Sequence, residues 1–175
     1  MSRPRRPAES KVVSLARLVE LLEPERRLGR SVVFTNGCYD LLHVGHSRFL
    51  SVAAELGDLL VVGLNHDESV LRLKGAGRPF VPFAERAALL AGLEVVDWVV
   101  GFAEDTPAAL IEAILPDVLV KGGDWEVDRI VGRETVERRG GRVLSLPLVP
   151  GRSTTSLVER IRSAATHEHS ADETP

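Results

Sequence analysis

The chain has 175 residues, a net charge of −3, 44% hydrophobic and 27% charged residues; that length suits one domain with a real core, and the composition excludes disordered, fibrous and basic nucleic-acid-binding classes. Its single cysteine, Cys38, excludes an internal disulfide and a multi-cysteine zinc site. No apolar run approaches the roughly 20 residues of a membrane helix, and no apolar segment follows the basic start MSRPRRPAESK to make a signal peptide, so a cytoplasmic protein without membrane or nucleic-acid partners is expected.

Residues 1–9, with two prolines and three arginines, read as disordered. Ser10 is placed as the N-cap of a helix over 11–27, where Val12, Leu15, Val19 and Leu22 fall at helical spacing and Gly29 ends the run. Residues 31–35 (SVVFT) form a buried strand by their β-branched and aromatic content. A loop over 36–43 leads into a helix over 44–56, stopped by Gly57. The pattern then gives a strand over 58–64, a short helix over 67–73, a glycine-rich loop over 74–80 and a helix from Pro82 to 91. A strand over 95–100 follows, then a helix opened by Thr106-Pro107 that ends near 115. Next come a strand over 117–121, a loop over 122–125, a helix reaching about 139 and a strand over 142–146. Ser153 caps a last helix to 164, and the polar tail 165–175 reads as disordered. The domain itself is set at 30–164, with a separate helix over 10–29 before it.

Strands that alternate with helices predict an α/β fold, a doubly wound parallel five-stranded sheet with right-handed crossovers. Ligands of such folds lie at the carboxyl ends of the strands. The loops after Thr35, Leu64, Lys121 and Leu146 are therefore the expected site.

Phosphate motifs of the P-loop and dinucleotide kinds are absent, and there is no G-x-S-x-G elbow. What stands at the end of the first strand is TNGCYDLLHVGH, Thr35 to His46. Gly37 and Gly45 allow close approach of a ligand to the backbone. The first helical turn offers amide donors and the positive end of the helix dipole to an anion. His43 and His46, three residues apart, can both face one anion. Lysine is scarce, with only Lys11, Lys74 and Lys121 among 22 Lys and Arg residues. Lys74 falls in the glycine-rich loop, where it can close over phosphate. Lys121 ends a buried strand at the ligand face.

The segment resembles the H-x-G-H signature of the nucleotidylyltransferase superfamily, the cytidylyltransferase-like α/β fold. Within it, the chain is most similar to the adenylyltransferase domain of the bacterial heptose enzymes. The resemblance covers about residues 30–162 and rests on TNGCYDLLHVGH (35–46), LKGAGRPFVPFAER (73–86), VDWVVGFAEDTP (96–107), LPDVLVKGGDW (115–125) and STTSLVERI (153–161). It implies a Rossmann-like nucleotidylyltransferase fold in which His43, His46, Lys74 and Lys121 are catalytic. Thr35, Asn36, Gly37, Cys38, Tyr39, Gly45, Gly122, Asp124, Ser153, Thr154 and Thr155 would lie along the nucleotide with His43, His46 and Lys121. Lys74 and Arg86 would reach the substrate phosphate, Arg86 as part of the superfamily's Glu-Arg pair. Asp40 is kept as a site of lower weight beside its reading as a turn residue, and Cys38 carries no expectation of thiol chemistry.

The implied reaction transfers AMP from ATP to a sugar 1-phosphate, with heptose 1-phosphate foremost, giving ADP-heptose and pyrophosphate. Mg²⁺ would arrive with ATP, and no protein metal site is expected. A separate kinase would supply the sugar phosphate, since only about 30 residues precede the first strand, and a homo-oligomer, a dimer, is expected. Three alternatives stay open: a cytidylyltransferase acting on glycerol or ethanolamine phosphate, a phosphopantetheine-type adenylyltransferase, whose F-D-P-x-x-x-G-H form the Tyr39-Asp40-Leu41 run lacks, and a non-catalytic nucleotide-binding regulator.

Overall fold

Uninterrupted runs of aliphatic and β-branched residues mark strands covered on both faces, and every residue of Leu59–Asn65 is buried. The computed structural model describes residues 6–123, 125–147, 151 and 154–171. In chain order the elements are β1 (Val12–Val13), α1 (Leu15–Arg27), β2 (Val32–Gly37), α2 (Val44–Ala54), β3 (Leu59–Asn65), α3 (Asp67–Lys74), α4 (Phe83–Gly92), β4 (Trp98–Phe102), α5 (Ala108–Ile114), β5 (Val118–Gly122), α6 (Arg133–Glu137), β6 (Arg142–Leu146) and α7 (Thr154–Ala171). Among the described residues, six strands form one sheet in the order β1-β4-β3-β2-β5-β6, and every pairing is parallel.

Side-chain alternation along the strands divides the core into two layers. Val32 and Phe34 of β2 face Leu18 and Leu22 of α1 and Ile111 and Ile114 of α5. Val33 faces the other way, with Phe49, Leu50 and Ala53 of α2 and Leu90 of α4. The sheet is therefore doubly wound. From β2 the chain steps outward through β3 and β4, then crosses back to place β5 on the other flank of β2. Strand order reverses at β2, and the crevice beyond its carboxyl end is where such folds hold ligands. Three aspartates pin the opposite ends of the strands. Asp58 accepts the Ser31 amide at 2.8 Å, Asp97 the Leu60 amide at 2.8 Å and Asp117 the Val32 amide at 2.7 Å.

The structure corrects the expected elements at five places. The sheet has a sixth strand because the start of the expected helix over 11–27 is extended: Val12 and Val13 pair with Val99 and Val100 at the edge of the sheet. The helix begins at Leu15, capped by the Ser14 side chain, which accepts the Arg17 amide at 3.2 Å. The segment before it is packed, not disordered, from Arg6 onward. Arg6 lies 4.7 Å from the centroid of the Trp98 ring and pairs with Glu25 and Asp97, while Lys11 is buried and donates to the Leu93 carbonyl at 3.1 Å. The helix expected up to 139 is a 3-10 turn, Val127–Arg129, followed by the five-residue α6. Gly132, at φ +89°, breaks it, and a Cβ there would sit 2.5 Å from Ile111 Cδ1. Lys74 is the last residue of α3, not part of a loop. α7 runs on to Ala171, past the end expected at 164. Among the described residues no helix is long and apolar enough to cross a membrane.

The two serines near the start of α1 separate the expected from the observed cap. Ser14→Ala should cost about 1 kcal/mol of unfolding free energy, as loss of an N-cap does. Ser10→Ala, at an exposed hydroxyl, should cost less than about 0.5 kcal/mol. Denaturant unfolding of both variants measures this, and an equal or reversed pair of losses contradicts the assignment.

Candidate active site

β2 ends at Gly37, and the chain turns through Tyr39 in a left-handed conformation, φ 44°. A non-glycine residue there stores strain of about 1–3 kcal/mol that the surroundings must hold. They hold it by covering the ring. Tyr39 is buried, its ring lies against Gly37, where a Cβ would come within 3.1 Å, and its centroid stands 5.2 Å from that of His46 in an edge-on contact. A side chain at position 37 would therefore press on the Tyr39 ring.

α2 begins directly after this turn. His43 is its N-cap, and its Nδ1 accepts the Gly45 amide at 3.1 Å. The His46 amide bonds to the His43 carbonyl at 2.9 Å. The amides of Gly45 and His46 are therefore satisfied within the turn, and Gly45 does not offer its donor to an anion as the sequence suggests. The two imidazoles stack at 3.9 Å, 18° from parallel. Only His46 faces the cavity described below; His43 stands behind it. Burial, reinforced by the adjacent His43, pulls His46 down to about 4. Its imidazole is neutral at pH 7 and acts as a hydrogen-bonding group, not as a cation.

A cavity of about 660 Å³ opens at the carboxyl ends of the strands. Thr35, Asn36, Gly37, Cys38, Tyr39 and His46 form its floor, Lys74 stands at one side, Lys121 and Gly122 at the other, and Thr154 and Thr155 of α7 complete the wall. Asn36 Oδ1 and His46 Nδ1 are buried without a hydrogen-bond partner, and polar atoms left so in a cavity wall suit a polar ligand. Of the other residues singled out in the sequence, His43, Gly45 and Arg86 do not line the cavity, and Asp124 and Ser153 lie outside the described residues.

The charges in the cavity do not balance. Its carboxylates are already paired, Asp40 with Arg78 and Asp105 with Arg72, each at 2.7 Å. Lys74 and Lys121 have no carboxylate partner among the described residues. Burial pulls the Lys121 ammonium down to about 8, which leaves it mostly charged at pH 7, and it stands 5.9 Å from the centroid of the exposed Trp125 ring. A partly buried cation, Lys121, and an exposed one, Lys74, with the cavity's carboxylates already taken by arginines, suit an anionic ligand. Burial pushes the Cys38 thiol up, and Sγ lies 4.0 Å from Asn65 Oδ1, so Cys38 remains a thiol and is not poised as a nucleophile. Among the described residues no three His, Cys, Asp or Glu side chains gather as a metal site.

Arg86 departs most from its expected place at a substrate phosphate. It is wholly buried. Nε donates to the Val81 carbonyl at 2.8 Å, Nη1 to the Cys38 carbonyl at 2.6 Å, and Nη2 to the Asn65 carbonyl at 2.9 Å and Asp67 Oδ1 at 2.6 Å. Its donors are spent on the backbone around the cavity. Arg78, which sequence reasoning passed over, and Asp40, to which it gave only lower weight, stand at the cavity instead. No local signal separates them from an ordinary turn aspartate and a solvated loop arginine, because their pairing spans 38 positions of sequence.

Residues 34–160 match the cytidylyltransferase-like family. The chain belongs to that family. As a member of this nucleotidyltransferase family it is 53% identical over 161 residues to the bifunctional protein HldE of Geotalea uraniireducens, a match that covers 92% of this chain and 33% of that protein. The HldE of Pseudomonas paraeruginosa is 53% identical over 155 residues, covering 89% of this chain and 33% of the relative. The chain thus spans about a third of the length of these curated relatives. Among solved structures, the lipopolysaccharide core biosynthesis protein of Thermoplasma volcanium superposes with a TM-score of 0.57 at 28% identity, over 69% of this chain and 98% of that one. The pantothenate synthetase of Thermus thermophilus, at TM-score 0.52 and 20% identity, shares the fold.

The position of Arg86 makes a stability claim. Arg86→Lys keeps one charge but cannot serve four acceptors arranged in a plane. It should cost about 2–4 kcal/mol in unfolding free energy, the range for leaving buried acceptors and a charge partner unpaired. A fold of parental stability with altered substrate KM alone would return Arg86 to the role of a substrate-facing residue.

Proposed function

We propose that the chain is an adenylyltransferase that transfers AMP from ATP to D-glycero-D-manno-heptose 1-phosphate, releasing pyrophosphate and forming ADP-heptose. The observation that carries this reading is the unbalanced positive charge of Lys74 and Lys121 around His46 at the switch point of the sheet. The similarity to HldE over nearly the whole chain, and the likeness to a lipopolysaccharide core biosynthesis protein, support the sugar-nucleotide branch.

In the proposed reaction an oxygen of the sugar phosphate attacks the α-phosphorus of ATP. The new phosphorus–oxygen bond forms as the bond to the β-phosphate oxygen breaks, and pyrophosphate leaves with that electron pair. No proton must be removed, because a phosphate monoester is largely dianionic at neutral pH. Catalysis then consists of alignment and of donors aimed at the charge that develops on the phosphoryl oxygens. His46 supplies a neutral donor there, with its ring fixed by stacking on His43. Lys121 and Lys74 bring positive charge from the two sides, and Thr154 and Thr155 offer hydroxyls to the outer phosphates. Asn36, Gly37, Cys38 and Tyr39 lie along the nucleotide, and Lys121 with Gly122 flanks it. Mg²⁺ enters as part of the Mg–ATP substrate: both cavity carboxylates are engaged by arginines, so the ion would be held by phosphate oxygens. The sugar phosphate itself must come from a kinase reaction.

Pyrophosphate release with purified chain tests this. With heptose 1-phosphate, kcat/KM for ATP should exceed that for CTP by at least about tenfold, the range in which one or two hydrogen bonds to a base discriminate. A CTP advantage with glycerol or ethanolamine phosphate would place the chain in the alkyl-phosphate branch, and ATP binding without turnover would make it a regulator. In the same assay His46→Ala should fold and lose about 10²–10³ in kcat, as removal of one preorganised donor does. Turnover within about threefold of the parent would contradict the assignment of this turn as the reacting-phosphate site.

A further inference from the structure

With Arg86 committed to the backbone, the cavity needs another group for the phosphate of the acceptor. Lys74 is one cation on that side, but it is an exposed side chain at the end of α3. Arg78 is differently placed. It lines the cavity from the segment between α3 and α4, and its guanidinium is held on two sides. Nη1 donates to Asp40 Oδ2 at 2.7 Å, and the guanidinium carbon lies 4.2 Å from the centroid of the Phe80 ring.

Asp40 is the anchor. It is 5% exposed, and its other oxygen accepts the amides of Phe80 at 2.7 Å and Val81 at 3.0 Å. Earlier in the same segment Gly75 and Gly77 take φ +88° and +83°, and the Gly75 amide closes α3 on the Leu71 carbonyl at 2.9 Å. Asp40 therefore ties this segment to the turn that carries His46. A guanidinium has five donors in a rigid plane. With one donor on Asp40 and one face on Phe80, its remaining edge is preorganised, and little rotamer freedom is left to lose when an anion binds. A planar fork suits the two oxygens of a phosphate monoester in a way that the point charge of Lys74 does not.

The sheet also assigns a side. Lys121 at the end of β5 and Trp125 just after it lie on one flank of β2, whereas Lys74, Arg78, Asp105 and Thr106 come from the segments after β3 and β4, on the other. The two flanks suit the two reactants of a nucleotidyl transfer. We propose that Arg78, oriented by Asp40, binds the phosphate of the acceptor and selects for a phosphate monoester. This inference rests on the transfer reading given above.

Steady-state kinetics with both substrates varied, together with thermal melting, tests it. Arg78→Ala should raise KM for the acceptor by about 10–100-fold, the loss expected for a hydrogen bond to a charged group, and leave KM for ATP within about threefold and the melting temperature near that of the parent. Arg78→Lys should recover only a small part of that loss, because it restores charge without the fork. Asp40→Asn should raise the same KM, and Asp40→Asn/Arg78→Ala should be no worse than Arg78→Ala alone, as expected when one residue acts through the other. An acceptor KM that stays within about threefold in Arg78→Ala, or a rise in both KM values accompanied by a fall in melting temperature, overturns the assignment. A parent chain that turns over no sugar phosphate defeats the transfer reading and this inference with it. An active parent with an indifferent Arg78 defeats the inference alone.

Discussion

Arg86 is a cation with no access to solvent, and the walls of the cavity depend on where its donors go. It joins the turn after β2 through Cys38, the end of β3 through Asn65, the start of α3 through Asp67 and the start of α4 through Val81. The ladder between β2 and β3 ends at Gly37 and Leu64, and beyond it the Arg86 side chain ties these points together. A buried guanidinium is tolerable only when its donors are met, so the geometry that satisfies Arg86 also fixes the turn. Asp40 repeats the device one residue beyond Tyr39, tying the turn to the 78–81 segment. The strained Tyr39 backbone sits between these two anchors and is held by both.

The electrostatics follow from this scaffold. Carboxylates near the cavity are consumed by arginines, which leaves Lys74 and Lys121 uncompensated. His46 is kept neutral by burial and by the imidazole behind it. A site of this kind attracts a polyanion and presents it with donors, and among the described residues it contains no activated nucleophile and no paired acid and base. The burial that raises the Cys38 thiol points the same way. The chemistry that fits is one whose attacking group arrives already charged.

Much of the fold was legible because parallel strands buried on both faces are written as unbroken apolar runs, and the helices between them carry clear stops. The failures have local causes. Val12 shares helical spacing with Leu15, Val19 and Leu22, so periodicity absorbed a two-residue strand that only its pairing with β4 reveals. Gly132, at φ +89°, breaks the expected helix, and Ile111, 21 positions away, leaves no room there for a Cβ. The turn from Thr35 to His46 was readable because glycines and histidines are crowded into one strand-to-helix junction. The expected place of Arg86 and the silence on Arg78 have the same physical reason: sequence gives the residue type and not its burial. The arginine on the amphipathic helix points inward, and the one in the glycine-flanked segment faces the cavity.

In the proposed reaction the nucleotidyl group passes directly between the two substrates by alignment and electrostatics, with no covalent intermediate on the protein. Turnover of one diastereomer of ATP bearing sulfur on the α-phosphorus, with the configuration of the product determined, tests that claim most directly. Inversion at phosphorus is the predicted result, from a single in-line displacement. Retention would require two displacements through a protein nucleophile, such as Cys38 or a histidine of the turn, and would contradict the account.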